Sequence, residues 1–482
     1  KTYTCTVCSA TKTEAIAALG HSWNSGEVTV PMSCLLDGIT IYTCTVCNAT
    51  KQETTLATGH VWNDGEVTTP AGCLTDGTTT YTCTVYSAIK TEPIATTGHS
   101  YSEGWTTTTT HHWHAATCEH SDEQEGYGEH TYDENKVCTV CNMKYVSVGL
   151  EYTMSANGPH WAVSGIGTCT DTEIYIPATY NGLPVKEIGQ IAFYENTTIT
   201  GVVFPDSITT IDYRAFYGCS GLTSVTIPDS MTGIGNYAFE GCSSLKSVTI
   251  GNNVTSVGHY AFYGCNNLAS VTIGNNVTSI GSCAFYGCSS LTSVTIPDSV
   301  TDIGNSAFSG CSSLKSVTIP DSVTSIGNSA FYECSSLTSV TILDSVTGIG
   351  NYAFNGCSSL ASITIPDSVT SIGQSAFRDC IGLTSVTIGN GVTSISDLAF
   401  GYCSGLISVT IGSGVTSIGK WAFRDCSSLT SVTFASIHGW WYASSRSATS
   451  GTYISYVNIR NASVAATLLA KNYCDYYWGR TV

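Results

Sequence analysis

Residues 222–242 read Leu222-Thr-Ser-Val225-Thr-Ile227-Pro-Asp-Ser-Met231-Thr-Gly-Ile234-Gly-Asn-Tyr-Ala238-Phe239-Glu-Gly-Cys242, and this pattern returns every 23 residues. Eleven phenylalanines keep that register without a slip: Phe193, Phe216, Phe239, Phe262, Phe285, Phe308, Phe331, Phe354, Phe377, Phe400 and Phe423. A fixed period of this length is typical of repeat proteins, in which each unit buries its apolar face against its neighbours. The register therefore predicts a repeat solenoid.

The residue order within one unit predicts its local structure. Val225-Thr-Ile227 alternates apolar and polar residues as a half-buried strand does, and Pro228 ends the strand because proline donates no ladder hydrogen bond. Ile234 and Phe239 follow at the spacing of an apolar corner and a short helical or 3₁₀ turn. Stacking such units predicts a parallel sheet on one face, with the apolar side chains in the interior.

The pattern LxxVxIPxxVxxIGxxAFxxCxx resembles the BspA-like class of bacterial leucine-rich repeats, and Leu245–Cys265, Leu314–Cys334 and Leu360–Cys380 carry it. The resemblance implies a right-handed leucine-rich-repeat solenoid with an N-terminal cap at 148–186, an array of 23-residue units at 187–434 and a C-terminal cap at 435–482. It also implies a secreted or surface-attached protein that binds proteins or matrix. Fold follows from such a resemblance more directly than function does.

Hydroxyl side chains occupy two columns on the predicted sheet face. A flat hydroxyl surface can bind an extended protein or glycan, and solenoids use such faces for partners. The alternative is a solvated β-face without a ligand. The candidate binding residues at the centre of the array are Ser247, Thr249, Ser270, Thr272, Ser293, Thr295, Ser316, Thr318, Ser339 and Thr341. A column of ten cysteines, from Cys219 to Cys426, is predicted to be small buried side chains of the core.

A second period, of 39 residues, covers residues 1–104 and predicts small β-rich Cys/His modules. Cysteine with histidine in this pattern suggests structural zinc, which takes four N/S ligands. One register groups Cys5, Cys8, His21 and Cys34, then Cys44, Cys47, His60 and Cys73; an alternative groups Cys34, Cys44, Cys47 and His60. Tyr86 replaces the second cysteine of the third CxxC, so the unit of Cys83 and His99 is expected to bind metal weakly.

A related His/Cys-rich module spans residues 105–147. Its candidate zinc ligands are Cys118, His120, Cys138 and Cys141, with His130 or His114 as rivals. Disulfide bonding is the competing interpretation for all these modules, because an exported chain meets an oxidising space. Catalytic zinc is disfavoured because no HExxH motif occurs.

Composition restricts the class of partner. The chain of 482 residues has 17 Lys+Arg against 35 Asp+Glu, and its net charge of −18 argues against nucleic acid and anionic lipid as partners. No apolar run reaches the length of a membrane span. The chain begins within a repeat, which we interpret as a fragment or processed chain of a secreted or surface protein.

Binding of host or neighbouring-cell proteins or glycans by a monomer is the function we expect. A structural spacer and a carbohydrate-binding component are the alternatives. No catalytic motif is found in a supporting context, so no enzymatic activity is expected.

Overall fold

The computed structural model describes residues 2–4, 6, 8, 11–13, 22–45, 48–118, 120 and 122–481. The chain folds as two compact units, residues 1–144 and residues 145–482. The second unit holds the 23-residue repeats and the first holds the 39-residue repeats.

The repeat phenylalanines form one continuous stack through the interior of the second unit. All eleven are at most 1% exposed. Centroids of successive rings are 5.0–5.5 Å apart, and the ring planes differ by no more than 15°. The repeat leucines, valines, isoleucines, alanines and cysteines surround this stack. The predicted inward-facing ring in every layer is confirmed.

The predicted strands form a parallel sheet, which we call the front sheet. Identical repeat positions pair across it, for example Ser224 with Ser247 and Val225 with Val248. Its ladder is continuous in three stretches of six, two and four strands. In order, the strands are Glu173–Tyr175, Gly201–Val203, Ser224–Ile227, Ser247–Ile250, Ser270–Thr272 and Ser293–Val294; then Ser316–Ile319 and Ser339–Ile342; then Ser362–Ile365, Ser385–Ile388, Ser408–Ile411 and Ser431–Phe434.

A second parallel ladder, the back sheet, runs through the apolar corner of each unit. Most of its strands have only two residues, the second of them a buried isoleucine or valine. A strand of two residues is too short to show an alternating pattern in the sequence. The back sheet was therefore not predicted, whereas the front sheet was. The parallel strands of the back sheet are Leu183–Ile188, Thr210–Ile211, Gly233–Ile234, Ser256–Val257, Ser279–Ile280, Asp302–Ile303, Ser325–Ile326, Gly348–Ile349, Ser371–Ile372, Ser394–Ile395 and Ser417–Ile418.

Hydrogen-bonded turns surround each repeat phenylalanine, where a short helical or 3₁₀ segment was predicted. In the layer of Phe308, the amide of Ala307 bonds to Gly304 and the amide of Cys311 bonds to Phe308. The residue two before each phenylalanine has left-handed backbone, as at Ser306 with φ 56°. This conformation interrupts the right-handed run, so the segment remains a series of turns.

Irregular elements cover both ends of the array. At the first end lie strands Glu151–Met154, Trp161–Gly165 and Thr179–Tyr180. At the other end lie strands Trp440–Ala443, Thr452–Tyr453 and Tyr477–Arg480, helices Tyr456–Arg460 and Ala462–Thr467, and a π-helix Leu468–Asn472. Trp440 and Trp478 are buried there, and their rings lie 5.0 and 6.4 Å from Phe434 of the last front strand.

The first unit consists of small antiparallel sheets in succession, in agreement with the predicted β-rich modules. A hairpin of Thr2–Thr4 and Thr11–Thr13 comes first. The first module has strands Glu27–Val30, Gly38–Thr43 and Thr50–Thr55; the second has Glu66–Thr69, Gly77–Thr82 and Ile89–Ile94; the third has Thr106–Thr107, His111–Ala115 and Gln124–Glu129. Residues 130–144 form a final segment held by isolated bridges.

Candidate binding face and candidate metal centres

The front sheet presents its hydroxyl columns to solvent. Because side chains alternate along a strand, Ser316 and Thr318 point outward while Val317 and Ile319 are buried. All ten predicted binding residues, Ser247 to Thr341, are exposed in this way. Parallel in-register pairing places equivalent hydroxyls about 4.8 Å apart from layer to layer.

These hydroxyl groups have no hydrogen-bond partner within the described part of the chain. Threonines of a third outward column, which lies one residue before the serine column, do have partners. There, the hydroxyl of Thr338 donates to the carbonyl oxygen of Lys315 at 3.0 Å, and that of Thr384 donates to Ala361 at 3.0 Å. The threonine column beside the back sheet makes the same kind of bond, as from Thr347 to Thr324 at 3.0 Å. The front columns therefore keep their donors and acceptors for solvent or a ligand.

The front face also differs from the rest of the chain in charge. From Leu222 to Thr433 its three outward columns contain serine, threonine, alanine, one isoleucine and two lysines, Lys246 and Lys315, and no carboxylate. The whole chain has a net charge of −18. Between Leu222 and Thr433 the face thus offers hydroxyl groups and scattered positive charge, whereas the first front strand carries the exposed carboxylate of Glu173.

Three groups of cysteine and histidine converge in the first unit, with their candidate ligand atoms all within 4.8 Å of one another. Cluster A contains Cys34, His60 and Cys83; cluster B contains Cys73, His99, Cys118 and His120; cluster C contains His112, His130, Cys138 and Cys141. In cluster B, Cys73 Sγ lies 3.1 Å from His120 Nδ1, and Cys118 Sγ lies 3.3 Å from His99 Nδ1. In cluster C, Cys141 Sγ lies 3.4 Å from His130 Nδ1.

The predicted ligand groupings differ from these clusters. Cys34 and His60 do lie together, but Cys83 joins them, and Cys44 belongs to no cluster of the described residues. Cys73 joins the following module, where it meets His99. The grouping of Cys118 and His120 with Cys138 and Cys141 is wrong, because the two pairs lie in separate clusters.

Some predicted ligands lie elsewhere. Cys5, His21 and Cys47 are outside the described residues, and Cys8 is exposed. The predicted weak unit of Cys83 and His99 is divided between clusters A and B. His130 is in cluster C, whereas its rival His114 packs against Trp105, with 3.9 Å between the ring centroids and the ring planes tilted by 32°.

Sequence reasoning missed His112 and the full set around His99. The signal for His99 was present, since Cys34 precedes His60 by the same 26 residues by which Cys73 precedes His99. No comparable repeat spacing in the sequence indicates His112 as a ligand. It lies on a strand of the third module and is 5% exposed.

Hydrogen bonds lower the pKa of one cysteine in each cluster. Burial raises the pKa of Cys138, but hydrogen bonds from the backbone N–H groups of Cys141 and Val140, together with those of the His130 and Cys141 side chains, lower that pKa to about 6. At Cys83, burial again raises the pKa. Hydrogen bonds from the backbone of Val85 and Tyr86 and from the side chain of His60 are among those that lower it, to about 6. The hydrogen bond with His99 lowers the pKa of Cys118 to about 6. These hydrogen bonds favour a thiolate at Cys83, Cys118 and Cys138, and the thiolate is the form that ligates metals.

Comparisons with known proteins concern mainly the second unit. A family model described as "BspA type Leucine rich repeat region" matches residues 186–314, 278–405 and 347–464, in 6 copies. No functionally curated protein matches the chain. None of the helices in the described ranges is long and apolar enough to span a membrane.

Several solved structures are similar to the chain. A leucine rich cell surface protein from Faecalibacterium prausnitzii is 30% identical over 61% of this chain and 95% of its own, with a TM-score of 0.36. A leucine-rich repeat protein from Bacteroides ovatus is 28% identical over 60% of this chain and 82% of its own, with a TM-score of 0.41. A T. pallidum leucine rich repeat protein is 27% identical over 44% and 88%, with a TM-score of 0.36.

Proposed function

The chain belongs to the BspA-type leucine-rich-repeat family, and from this we propose that it is a secreted or cell-surface scaffold that binds a protein or glycan partner across its front face. Proteins of this type are found at the cell surface. Repeat solenoids expose an extended surface suited to a long ligand. The role proposed for the chain is recognition without catalysis.

The unpartnered hydroxyl columns carry this proposal. The hydroxyls of Thr338 and Thr384 bond to backbone carbonyl oxygens of the preceding layer, whereas those of Thr272 and Thr318 have no hydrogen-bond partner in the described part of the chain. Each free hydroxyl both donates and accepts a hydrogen bond, so the face suits hydroxyl-rich or amide-rich ligands. Individual contacts of this kind are weak, and repetition from layer to layer supplies affinity through valency.

The test places two carboxylates on the face. Thr272→Glu with Thr318→Glu separates the new charges by one intervening layer. Ser325→Glu with Ser371→Glu is the matched control, because these exposed serines have the same separation on the back sheet. The whole chain and both variants are applied to arrays of glycans and of extracellular-matrix proteins, and the affinity for the strongest ligand is then measured.

We expect the front variant to lose at least about tenfold in affinity. The free-energy cost of burying an unpaired carboxylate under the ligand exceeds the roughly 1.4 kcal/mol that corresponds to a tenfold change in Kd. The back variant is expected to bind like the parent chain. Equal affinities of the two variants would assign binding to another surface. Absence of any ligand, with the chain folded, would favour a spacer.

A further inference from the structure

Each Cys/His cluster joins two successive modules of the first unit. Cys34 lies in the loop between the first two strands of the first module, whereas His60 and Cys83 flank the corresponding strands of the second. Cys73 occupies that loop in the second module and meets His99, Cys118 and His120 of the third. His112 of the third module meets His130, Cys138 and Cys141 of the final segment.

We propose that clusters B and C each bind one Zn²⁺, and that the ion is the cross-link between consecutive modules. One module contributes a single ligand and the next contributes three. Each site therefore takes its ligands from two modules, whereas a site within one 39-residue unit would take all four from the same module. They are structural sites, separate from the front face of the second unit.

The dimensions of the clusters fit this ion. Zinc bonds of about 2.3 Å to sulfur and about 2.0–2.1 Å to nitrogen place tetrahedral ligand atoms about 3.4–3.8 Å apart. Two sulfur–nitrogen distances are 3.1 and 3.3 Å in cluster B, two are 3.4 and 4.0 Å in cluster C, and all ligand atoms of a cluster lie within 4.8 Å of one another. Small shifts of side chains convert each group into a tetrahedron.

The donor sets also fit. Thiolate and imidazole are the ligands of structural zinc, whereas Ca²⁺ and Mg²⁺ take oxygen. Clusters B and C each offer two sulfurs and two ring nitrogens, which fill all four positions. A closed shell of this kind leaves no place for a substrate or a reactive water.

Disulfides would explain the cysteines and leave the histidines unexplained. A bond between Cys138 and Cys141 would leave His112 buried beside a sulfur that no longer binds it. Leaving a buried polar group without a partner is unfavourable, because the group has lost its hydrogen bonds to water. A metal ion gives every member of the cluster a partner, and this favours zinc over a disulfide.

Cluster A supplies an internal contrast, because it has three candidate ligands. Tyr86 stands where a CxxC motif would place the second cysteine after Cys83, and its side chain is 61% exposed. The Nδ1 atom of His60 is buried and has no hydrogen-bond partner among the described residues. We therefore expect cluster A to bind zinc more weakly than clusters B and C, and Tyr86→Cys to complete it.

The modules have little apolar core of their own, which is why a cross-link matters. Every residue of strands Glu27–Val30 and Glu66–Thr69 is exposed. Of the large apolar side chains, Val28, Leu36 and Val67 are more than half exposed. Small units with so little burial depend on a staple, and zinc binding contributes directly to their folding.

Zinc content of the intact chain tests the proposal. The parent and its variants are purified with Zn²⁺, passed over a weak chelator and analysed for bound metal. His112→Gln is expected to remove about one equivalent relative to the parent. His114→Gln, on the same strand but outside the cluster, is the matched control and is expected to remove none. Tyr86→Cys is expected to add about one.

A second measurement replaces zinc by Co²⁺, whose absorption reports thiolate bonding. Cys138→Ser is expected to lower the thiolate-to-cobalt absorption, and Cys169→Ser, outside the clusters, to leave it unchanged. Equal metal content in the parent and His112→Gln, or Cys73–Cys118 and Cys138–Cys141 disulfides in the metal-free chain, would overturn the proposal. An unchanged zinc content in Tyr86→Cys would overturn the contrast between cluster A and the others.

Discussion

The Sγ atom of Cys311 donates a hydrogen bond to the carbonyl oxygen of Phe285, 3.3 Å away and 26 residues earlier. All ten cysteines of the column make this bond to the preceding layer, with S···O distances of 3.0–3.3 Å. The cysteines are buried as predicted, and in addition each ties its layer to the one before. The column is therefore a hydrogen-bonded ladder inside an apolar core.

Truncation of one cysteine measures this bond. Cys311→Ala is expected to lower the free energy of unfolding by about 1–2 kcal/mol, because a hydrogen bond and a buried sulfur are lost together. Ser316→Ala is the control: its exposed hydroxyl has no hydrogen-bond partner among the residues that the structure describes, so the change is expected to stay within about 0.5 kcal/mol. Urea denaturation of both variants makes the comparison, and equal stabilities would contradict a role for the thiol ladder.

Alkaline pH is expected to destabilise the solenoid through the same column. Burial raises the pKa of Cys334 from 9.0 to about 12. Between about pH 9 and about pH 12 the folded chain keeps this proton while the unfolded chain loses it. The contribution of the thiol to the free energy of unfolding is therefore fully present below about pH 9 and decreases as the pH rises toward about pH 12. The slope is about 1.4 kcal/mol per pH unit for one thiol.

Cys334→Ala isolates this effect from the titration of other groups. We expect the parent to lose its stability advantage over the variant between about pH 9 and about pH 11, as measured by urea denaturation at each pH. A difference that does not change with pH would show that the thiol is not held protonated by the core.

The phenylalanine stack is expected to be sensitive to a cavity. The ring of Phe308 lies 5.3 Å from that of Phe285 and 5.5 Å from that of Phe331. Phe308→Ala is expected to cost about 3–5 kcal/mol, since it removes a fully buried ring with neighbours on both sides. Ile407→Ala, at a side chain 50% exposed, should change stability by less than about 0.5 kcal/mol. A melting profile of Phe308→Ala equal to that of the parent would contradict this account.

The left-handed residue of each layer should restrict substitution. Ser306 has φ 56°, where a β-branched side chain is strained. Ser306→Val is expected to lower the free energy of unfolding by about 1–2 kcal/mol. Ser306→Gly is expected to be nearly neutral, because relief of strain offsets the greater freedom of the unfolded chain. Denaturant titration distinguishes them, and a neutral valine variant would argue against this backbone conformation.

Removal of metal should act on the first unit alone. With a strong chelator present, we expect proteases to digest residues 22–144 rapidly, because the cross-links between modules are lost. The 145–482 unit has its own core and is expected to survive as a resistant fragment. Mass spectrometry of the digest checks both expectations. Equal digestion with and without chelator would show that the modules do not depend on metal.

The 23-residue period could predict most of the solenoid, because one buried ring per layer leaves little choice of packing. Phe239 and Val225 were placed correctly from their spacing alone. The back sheet could not be predicted, since a strand such as Ser325–Ile326 is too short to show alternation. The turns around Phe308 could not be distinguished from a short helix, because both place apolar residues three or four positions apart.

The Cys/His clusters show the opposite case. The residue types predicted a site, but the predicted register was wrong. The CxxC pairs of the 39-residue units were assigned to the next histidine along the chain, and Cys138 and Cys141 were assigned to Cys118 and His120. In the structure the loop holding Cys34 reaches the following module, a long-range contact that local spacing does not encode. His112 was missed because His111 and His114 beside it are also histidines. Which of the three is buried depends on how the strand His111–Ala115 packs, and this cannot be read from the sequence.

The in-register pairing of identical repeat positions, such as Ser224 with Ser247 in the front sheet and Ile349 with Ile372 in the back sheet, has a consequence for the gene. Any layer can be deleted or duplicated as a 23-residue cassette without creating a mismatched seam, because the surfaces above and below it are nearly the same. Unequal recombination between repeats would then shorten or lengthen the rod by about 4.8 Å per event. Copy number thereby becomes a heritable means of adjusting reach while the chemistry of the face is conserved.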